Sequence, residues 1–292
     1  MSAAVVILLA ASLGLAAAAV YLCTLFFKKG AFFESNGVRL HYVEAGQGTP
    51  VILVHGLACD HVANWMLPRV FQKLARRYRV IALDNRGHGK SDKPYDPAKY
   101  GLELVDDIVR LMDHLGIAKA HVVGYSLGGF ITLKLVLRHP ERLLSAAPCG
   151  AGWSANPAEE LKLLFSLSDD LDQGRGLTAL VKWLWALKRP LPAPVLWLLH
   201  VMTSTFNDMQ ALSCLLRNSP ALVVTEAEVR GNVVPCLTIV GGGDHMKLFA
   251  EQMARAMPNL ELLVIPGGDH FTTLLSRKTV PALIAFLDRH SP

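Results

Sequence analysis

The stretch His121-Val122-Val123-Gly124-Tyr125-Ser126-Leu127-Gly128-Gly129 constrains this chain more than any other. An apolar run suited to a buried strand enters it, and residues 130–137 leave it with apolar side chains at helical spacing. Between them lies Gly-x-Ser-x-Gly. A serine on so sharp a strand-to-helix turn is strained, and glycines two residues to either side let neighbouring backbones pass closely. The hydroxyl is then raised above the sheet edge. The N–H of Leu127, first in the helix, points toward any negative charge that develops beside it. Taken alone, the pattern also describes a glycine-rich turn with an incidental serine, so its flanks and its partners decide.

The flanks repeat the same unit. Asn36-Gly37 is a strong two-residue turn, with alternation after it at Val38, Leu40 and Tyr42, so residues 31–46 read as a hairpin. Residues 51–54 and 80–83 are short continuous apolar strands, and 121–124 is another. A helix is expected from near Pro68 to about Arg77, and a second over residues 102–115. Such strands alternating with amphipathic helices imply an α/β fold, a mostly parallel central sheet covered by helices on both faces. The rhythm stops over residues 152–230, a Leu- and Trp-rich helical pattern broken by Pro190, Pro192 and Pro194. It resumes at residues 236–240 and 260–265. The expected organisation is a core of residues 31–151 and 231–292 with a helical cap, 152–230, inserted over the sheet.

Residues 1–30 form a separate segment. No charged side chain occurs from Ala3 to Phe27, and Lys28-Lys29 closes the run. That is enough helix to cross a bilayer core, which needs roughly 20 residues. The expectation is an uncleaved single-pass anchor over residues 3–27, with the lysines favouring a cytoplasmic catalytic domain. Export after signal cleavage is the alternative, but a basic n-region is missing. Net charge is +5, without a long basic run or aromatic–basic interleaving, so nucleic acid is not an expected partner. Cys23, Cys59, Cys149, Cys214 and Cys236 include no C-x-x-C pair, which argues against a disulfide framework or a zinc site. Arg69, Lys73, Arg76, Arg77 and Arg79 read as solvated charges near a helix C-terminus.

In sheets of this kind reactive groups collect in loops at the carboxyl ends of strands. Four such loops carry candidates: His55-Gly56-Leu57, Ser126, Asp244 after Gly241-Gly242-Gly243, and His270 after Pro266-Gly267-Gly268-Asp269. A serine hydroxyl needs a base that works near neutral pH, which means histidine. That histidine needs a carboxylate to fix its tautomer and stabilise the imidazolium. Ser126, Asp244 and His270 meet the requirement in that order along the chain. His88 lies in a turn, His55 shapes its loop, and His245 adjoins the acid but follows the wrong strand for a base. Asp269 is a weaker alternative acid, because neighbouring side chains point apart.

With these residues in place, the sequence resembles the α/β-hydrolase family over roughly residues 33–287. The resemblance rests on Gly-Tyr-Ser-Leu-Gly-Gly, His55-Gly56 after a strand, and the loop Asp84-Asn85-Arg86-Gly87-His88-Gly89-Lys90-Ser91. The Gly-x-x-Asp at Gly241 to Asp244 and the late Asp269-His270 complete it. It implies Ser126, Asp244 and His270 as catalytic residues, and the Leu57 and Leu127 N–H groups as the oxyanion hole. Some members carry the acid after the strand before the cap; residues 143–155 hold no carboxylate here, which favours Asp244. The expected activity is a serine hydrolase acting on small-molecule carboxylic esters of lipophilic acyl groups, with no metal or organic cofactor. Carbon–carbon bond hydrolase and enol-lactonase chemistry use the same triad and stay open as alternatives. From a different class, so does a catalytically silent binding protein of the same fold.

Overall fold

The computed structural model describes residues 30–185 and 192–292. Its first strands, β1 (Ala31–Ser35) and β2 (Val38–Ala45), pair antiparallel across Asn36-Gly37. Both turn residues have positive φ, 51° and 79°. This matches the right-handed twist of the strands they join. The other strands are β3 (Pro50–Val54), β4 (Arg79–Leu83), β5 (Ala120–Tyr125), β6 (Leu143–Cys149), β7 (Cys236–Gly241) and β8 (Leu260–Ile265). The eight described strands form one sheet in the order β1-β2-β4-β3-β5-β6-β7-β8. β2 meets β4 antiparallel, and every pair from β4 to β8 is parallel.

Side-chain alternation decides which helix covers which face. Ile52 and Val54 of β3, Ile81 of β4 and Val122 of β5 pack in one core with α2 (Glu103–His114) and α3 (Leu127–Arg138). Val51, Leu53, Val80 and Val123 face the other way. They meet α1 (Val70–Leu74) and the last helix of the chain, through Phe71, Leu74, Phe286 and Leu287. Both faces are therefore dry, as continuous apolar strands require. The elements described between β6 and β7 are helical: α4 (Ala158–Asp172), α5 (Thr178–Trp185), α6 (Ala193–Phe206), α7 (Met209–Arg217) and α8 (Glu226–Arg230), with a short 3₁₀ turn at Ser219–Leu222. α9 (Lys247–Ala256) and α10 (Thr279–Arg289) follow the last two strands.

Two expectations need correction. The helix expected from Pro68 to Arg77 is broken. A wide π-helical turn occupies Val62–Met66, Arg69 takes a left-handed φ of 63°, and only Val70–Leu74 is α-helical. The break lets both short pieces bury apolar side chains, Val62 and Trp65 from the first and Val70 and Leu74 from the second. The second correction concerns localisation. No helix among the described residues is long and apolar enough to cross a membrane. The membrane-anchored localisation is not supported: its N-terminal hydrophobic helix, residues 3–27, lies outside the described residues. Two cations of the basic cluster pair at the surface, Arg77 with Asp288 at 3.0 Å and Arg79 with Glu44 at 2.7 Å.

Candidate active site

Ser126 sits between β5 and α3 with φ 55° and ψ −119°, a conformation an L-residue adopts only under constraint. The constraint is backbone packing. A Cβ on Gly124 would lie 2.0 Å from the Gly128 carbonyl oxygen, and one on Gly128 would lie 2.0 Å from that of Val54. Only glycine lets α3 start that close to β3 and β5. The turn is further held by Ser126 N–H donating to the Cys149 carbonyl at 3.0 Å, on the end of β6.

His270 reaches the same end of the sheet from the loop after β8. Its Nδ1 lies 2.8 Å from Oδ2 of Asp244, and both residues are buried. The other carboxylate oxygen of Asp244 accepts the Met246 N–H at 2.8 Å, which fixes the acid. With Nδ1–H given to the carboxylate, the lone pair of Nε2 is free to take a proton. Tyr125 holds the histidine backbone from beneath by donating its hydroxyl to the His270 carbonyl at 2.6 Å.

Ser126 and His270 line one cavity of about 540 Å³, as do Leu57 and Leu127. No hydrogen-bond acceptor among the described residues takes the N–H of Leu57 or Leu127. The loop carrying Leu57 is held from several sides. Gly56 N–H donates to Asn64 Oδ1 at 2.7 Å, and Ala58 N–H donates to His88 Nε2 at 3.2 Å. Ala58 is left-handed, with φ 53°. His55 accepts the Asn85 N–H on Nε2 at 2.9 Å, so its Nδ1–H donates to the Gly56 carbonyl at 2.8 Å. Burial pushes the His88 pKa down to about 3, helped by neighbouring His55. His88 is therefore neutral: Nδ1–H donates to the Arg86 carbonyl at 3.1 Å, and Nε2 stays an acceptor.

A family model described as the alpha/beta hydrolase fold matches residues 49–182. The chain is 30% identical over 270 residues to the dihydrolipoyllysine-residue acetyltransferase component of an acetoin cleaving system from Pseudomonas putida, covering 88% of this chain and 69% of that protein. The chain belongs to the α/β-hydrolase family. A shorter match, 39% identical over 127 residues, joins this α/β hydrolase to a 2-hydroxymuconate semialdehyde hydrolase of Pseudomonas sp. (strain CF600), over 42% of the chain and 44% of that enzyme. Among solved structures, the enol-lactonase from Burkholderia xenovorans LB400 is similar in fold. It has a TM-score of 0.73 and 22% identity, over 88% of this chain and 100% of that one.

The residues that competed for roles in this hydrolase are otherwise engaged. Asp269 Oδ1 accepts the N–H groups of Phe271 and Thr272, at 2.9 and 2.8 Å, and so shapes the turn that delivers His270. The His245 ring packs on Trp183, with centroids 4.3 Å apart. One buried group of metal-ligand type exists among the described residues, His41, His61 and Asp84, with ligand atoms within 4.8 Å of one another. Both Asp84 oxygens already have partners. Asp84 Oδ2 takes His41 Nδ1 at 2.9 Å and Oδ1 takes His61 Nδ1 at 2.7 Å, with the His61 and Lys90 N–H groups on the same two oxygens. Burial pushes the Asp84 carboxyl up, but the hydrogen bonds from His41 and His61 outweigh it and hold it well below the usual range. The cluster ties β2, the loop before the π-turn and the end of β4 together through the Asp84 carboxylate.

Residue patterns did not reveal Asn64, which anchors Gly56, or Glu160, which enters the cavity wall from α4. Neither lies in a motif. Asn64 meets Gly56 through the fold-back of the π-turn, and Glu160 reaches the cavity through the packing of α4.

Proposed function

We propose that this protein is a serine hydrolase of carboxylic esters with apolar acyl groups. One observation carries the reading: the strained serine and the Asp-paired imidazole open into one cavity lined mostly by Leu, Trp, Phe and Val side chains, from Leu127 to Trp153, Leu180 and Phe249. Such a wall receives a hydrocarbon chain and offers little to a polar one.

In this mechanism Ser126 Oγ attacks the ester carbonyl while His270 Nε2 takes its proton. Asp244 stabilises the imidazolium through Nδ1–H. The carbonyl oxygen, now negative, is received by the N–H groups of Leu57 and Leu127, each worth about 3 kcal/mol of barrier. The imidazolium returns the proton to the leaving alkoxide, which departs as an alcohol and leaves an acyl-serine. Water, deprotonated by the same nitrogen, releases the acid and restores the serine. Residues 152–230 act as the cap that dries the reaction.

Labelling with a fluorophosphonate probe, followed by turnover of p-nitrophenyl esters from acetyl to decanoyl, tests this. The expected result is labelling of Ser126, a preference for medium or long chains, and loss of roughly 10⁴-fold or more in kcat for Ser126→Ala and His270→Ala with unchanged circular dichroism. Near-normal turnover by Ser126→Ala rejects the assignment, and a strict preference for acetate rejects the lipophilic substrate. A second reading, carbon–carbon bond hydrolysis or lactone opening with the same residues, is favoured by the likeness to the semialdehyde hydrolase and the enol-lactonase. Faster turnover of a dienoate or an enol-lactone than of any ester would select it.

A further inference from the structure

One carboxylate stands in the mostly apolar wall. Glu160, in the first turn of α4, lines the cavity, and its Oε2 is buried with no hydrogen-bond partner among the described residues. Among the described residues no Lys, Arg or second carboxylate lines the cavity beside it. An acid in a first helical turn is favoured by the helix dipole. Glu159, exposed one position earlier, meets that preference from the solvent side, so the dipole gives no reason for a carboxylate on the cavity wall. A carboxylate oxygen withdrawn from water and left without a donor is unfavourable, and an occupant that brings a donor relieves it. The last carboxylate torsion is broad and two-fold, so a half-turn presents either oxygen to that occupant.

We infer that Glu160 sets substrate specificity: the cavity accepts an apolar chain bearing a cationic hydrogen-bond donor, an ammonium group above all, and turns away carboxylates. This rests on reading the cavity as the substrate cavity. The ammonium gains a charge-assisted hydrogen bond beside a mostly apolar wall. A carboxylate finds a like charge and no cation in the described wall, a repulsive element of the kind that separates substrates. Esters carrying an amine are then better substrates than isosteric esters carrying an acid, and dienoate anions are poor ones.

Binding is measured apart from catalysis, by isothermal titration of the full chain near neutral pH with octylammonium, octanol and octanoate below their aggregation concentrations. Octylammonium is expected to bind about tenfold or more tightly than octanoate, with octanol between them. Glu160→Gln, of equal size, is expected to bring the two ions within about twofold of each other. Equal affinities in the unaltered protein, no binding of any of the three, or a preference that survives Glu160→Gln overturns the inference. Neither serine labelling nor turnover enters these titrations, so failure of the ester reading and failure of the Glu160 reading are seen separately.

Discussion

At the scale of single residues, catalysis of the proposed kind depends on holding two N–H groups where an oxyanion will form. Leu127 is held by α3, but Leu57 is held by a loop, and the loop depends on side chains that touch no substrate. His88 is one of them. Its unprotonated Nε2 accepts the N–H of Ala58, a non-glycine residue in the left-handed region. His88→Phe keeps the ring and removes the acceptor. Because displacements near 1 Å cost about a hundredfold in rate, kcat is expected to fall roughly ten- to hundredfold with KM changed less than about threefold. A lower melting temperature with kcat unchanged would give His88 a purely structural role. Ser126, Asp244 and His270 could be picked out as candidates in the sequence because each lies in a loop at the carboxyl end of a strand and few residue types offer such chemistry. His88 and Asn64 carry no such signature. Both accept backbone N–H groups of the Leu57 loop: Asn64 from the π-turn that follows it, and His88 from the loop after β4, a pairing that exists only once β3 and β4 lie side by side.

At the scale of elements, the strand–serine–helix turn is the least tolerant part of the molecule, since α3 starts against the carbonyl of Val54 on β3. Gly128→Ala places a methyl group 2.0 Å from that oxygen. The obstacle is backbone in a central strand, with no flexible side chain to move aside. The expected cost is about 3 kcal/mol or more, read as a lower urea midpoint together with loss of fluorophosphonate labelling. A variant as stable and as reactive as the parent would show that the turn is looser than this packing implies. The strand elements were readable because apolar runs bounded by turn residues leave little choice of structure. The region between Asp60 and Leu74 was not. A left-handed Arg69 and a π-helical turn have no residue signature, and both arise from burying Trp65 and Phe71 against the same sheet face.

At the scale of the whole molecule, the cavity was the least legible feature, because helix periodicity tells which residues are apolar and not how α4, α5 and α7 close over β5. Titration of the interior is likewise a property of the assembled fold, and it sets the acid limit of stability. His121 bridges Ser145 Oγ at 2.7 Å and Ser291 Oγ at 3.1 Å, and burial lowers its pKa to about 4, with nearby His290 adding to the effect. His88 is lowered to about 3 by the same cause. For both, the unfolded chain takes up a proton first as the pH falls. Their contribution is therefore complete above the free histidine value of about 6.5 and is lost progressively below it, toward about 4 for His121 and about 3 for His88. Asp84, held below its free value, acts in the same direction at lower pH, because its stabilisation is present above that value and lost beneath it. Urea midpoints measured near pH 7.5 and about pH 4.5 should thus differ, and His121 alone should account for roughly 2–3 kcal/mol of the difference. His121→Gln keeps a hydrogen-bonding side chain between the two serines and removes the titration. It should therefore lose less stability over that interval than the parent, even if it starts from a lower value. An identical loss in the two proteins would mean that His121 titrates in the folded chain much as it does in the unfolded one.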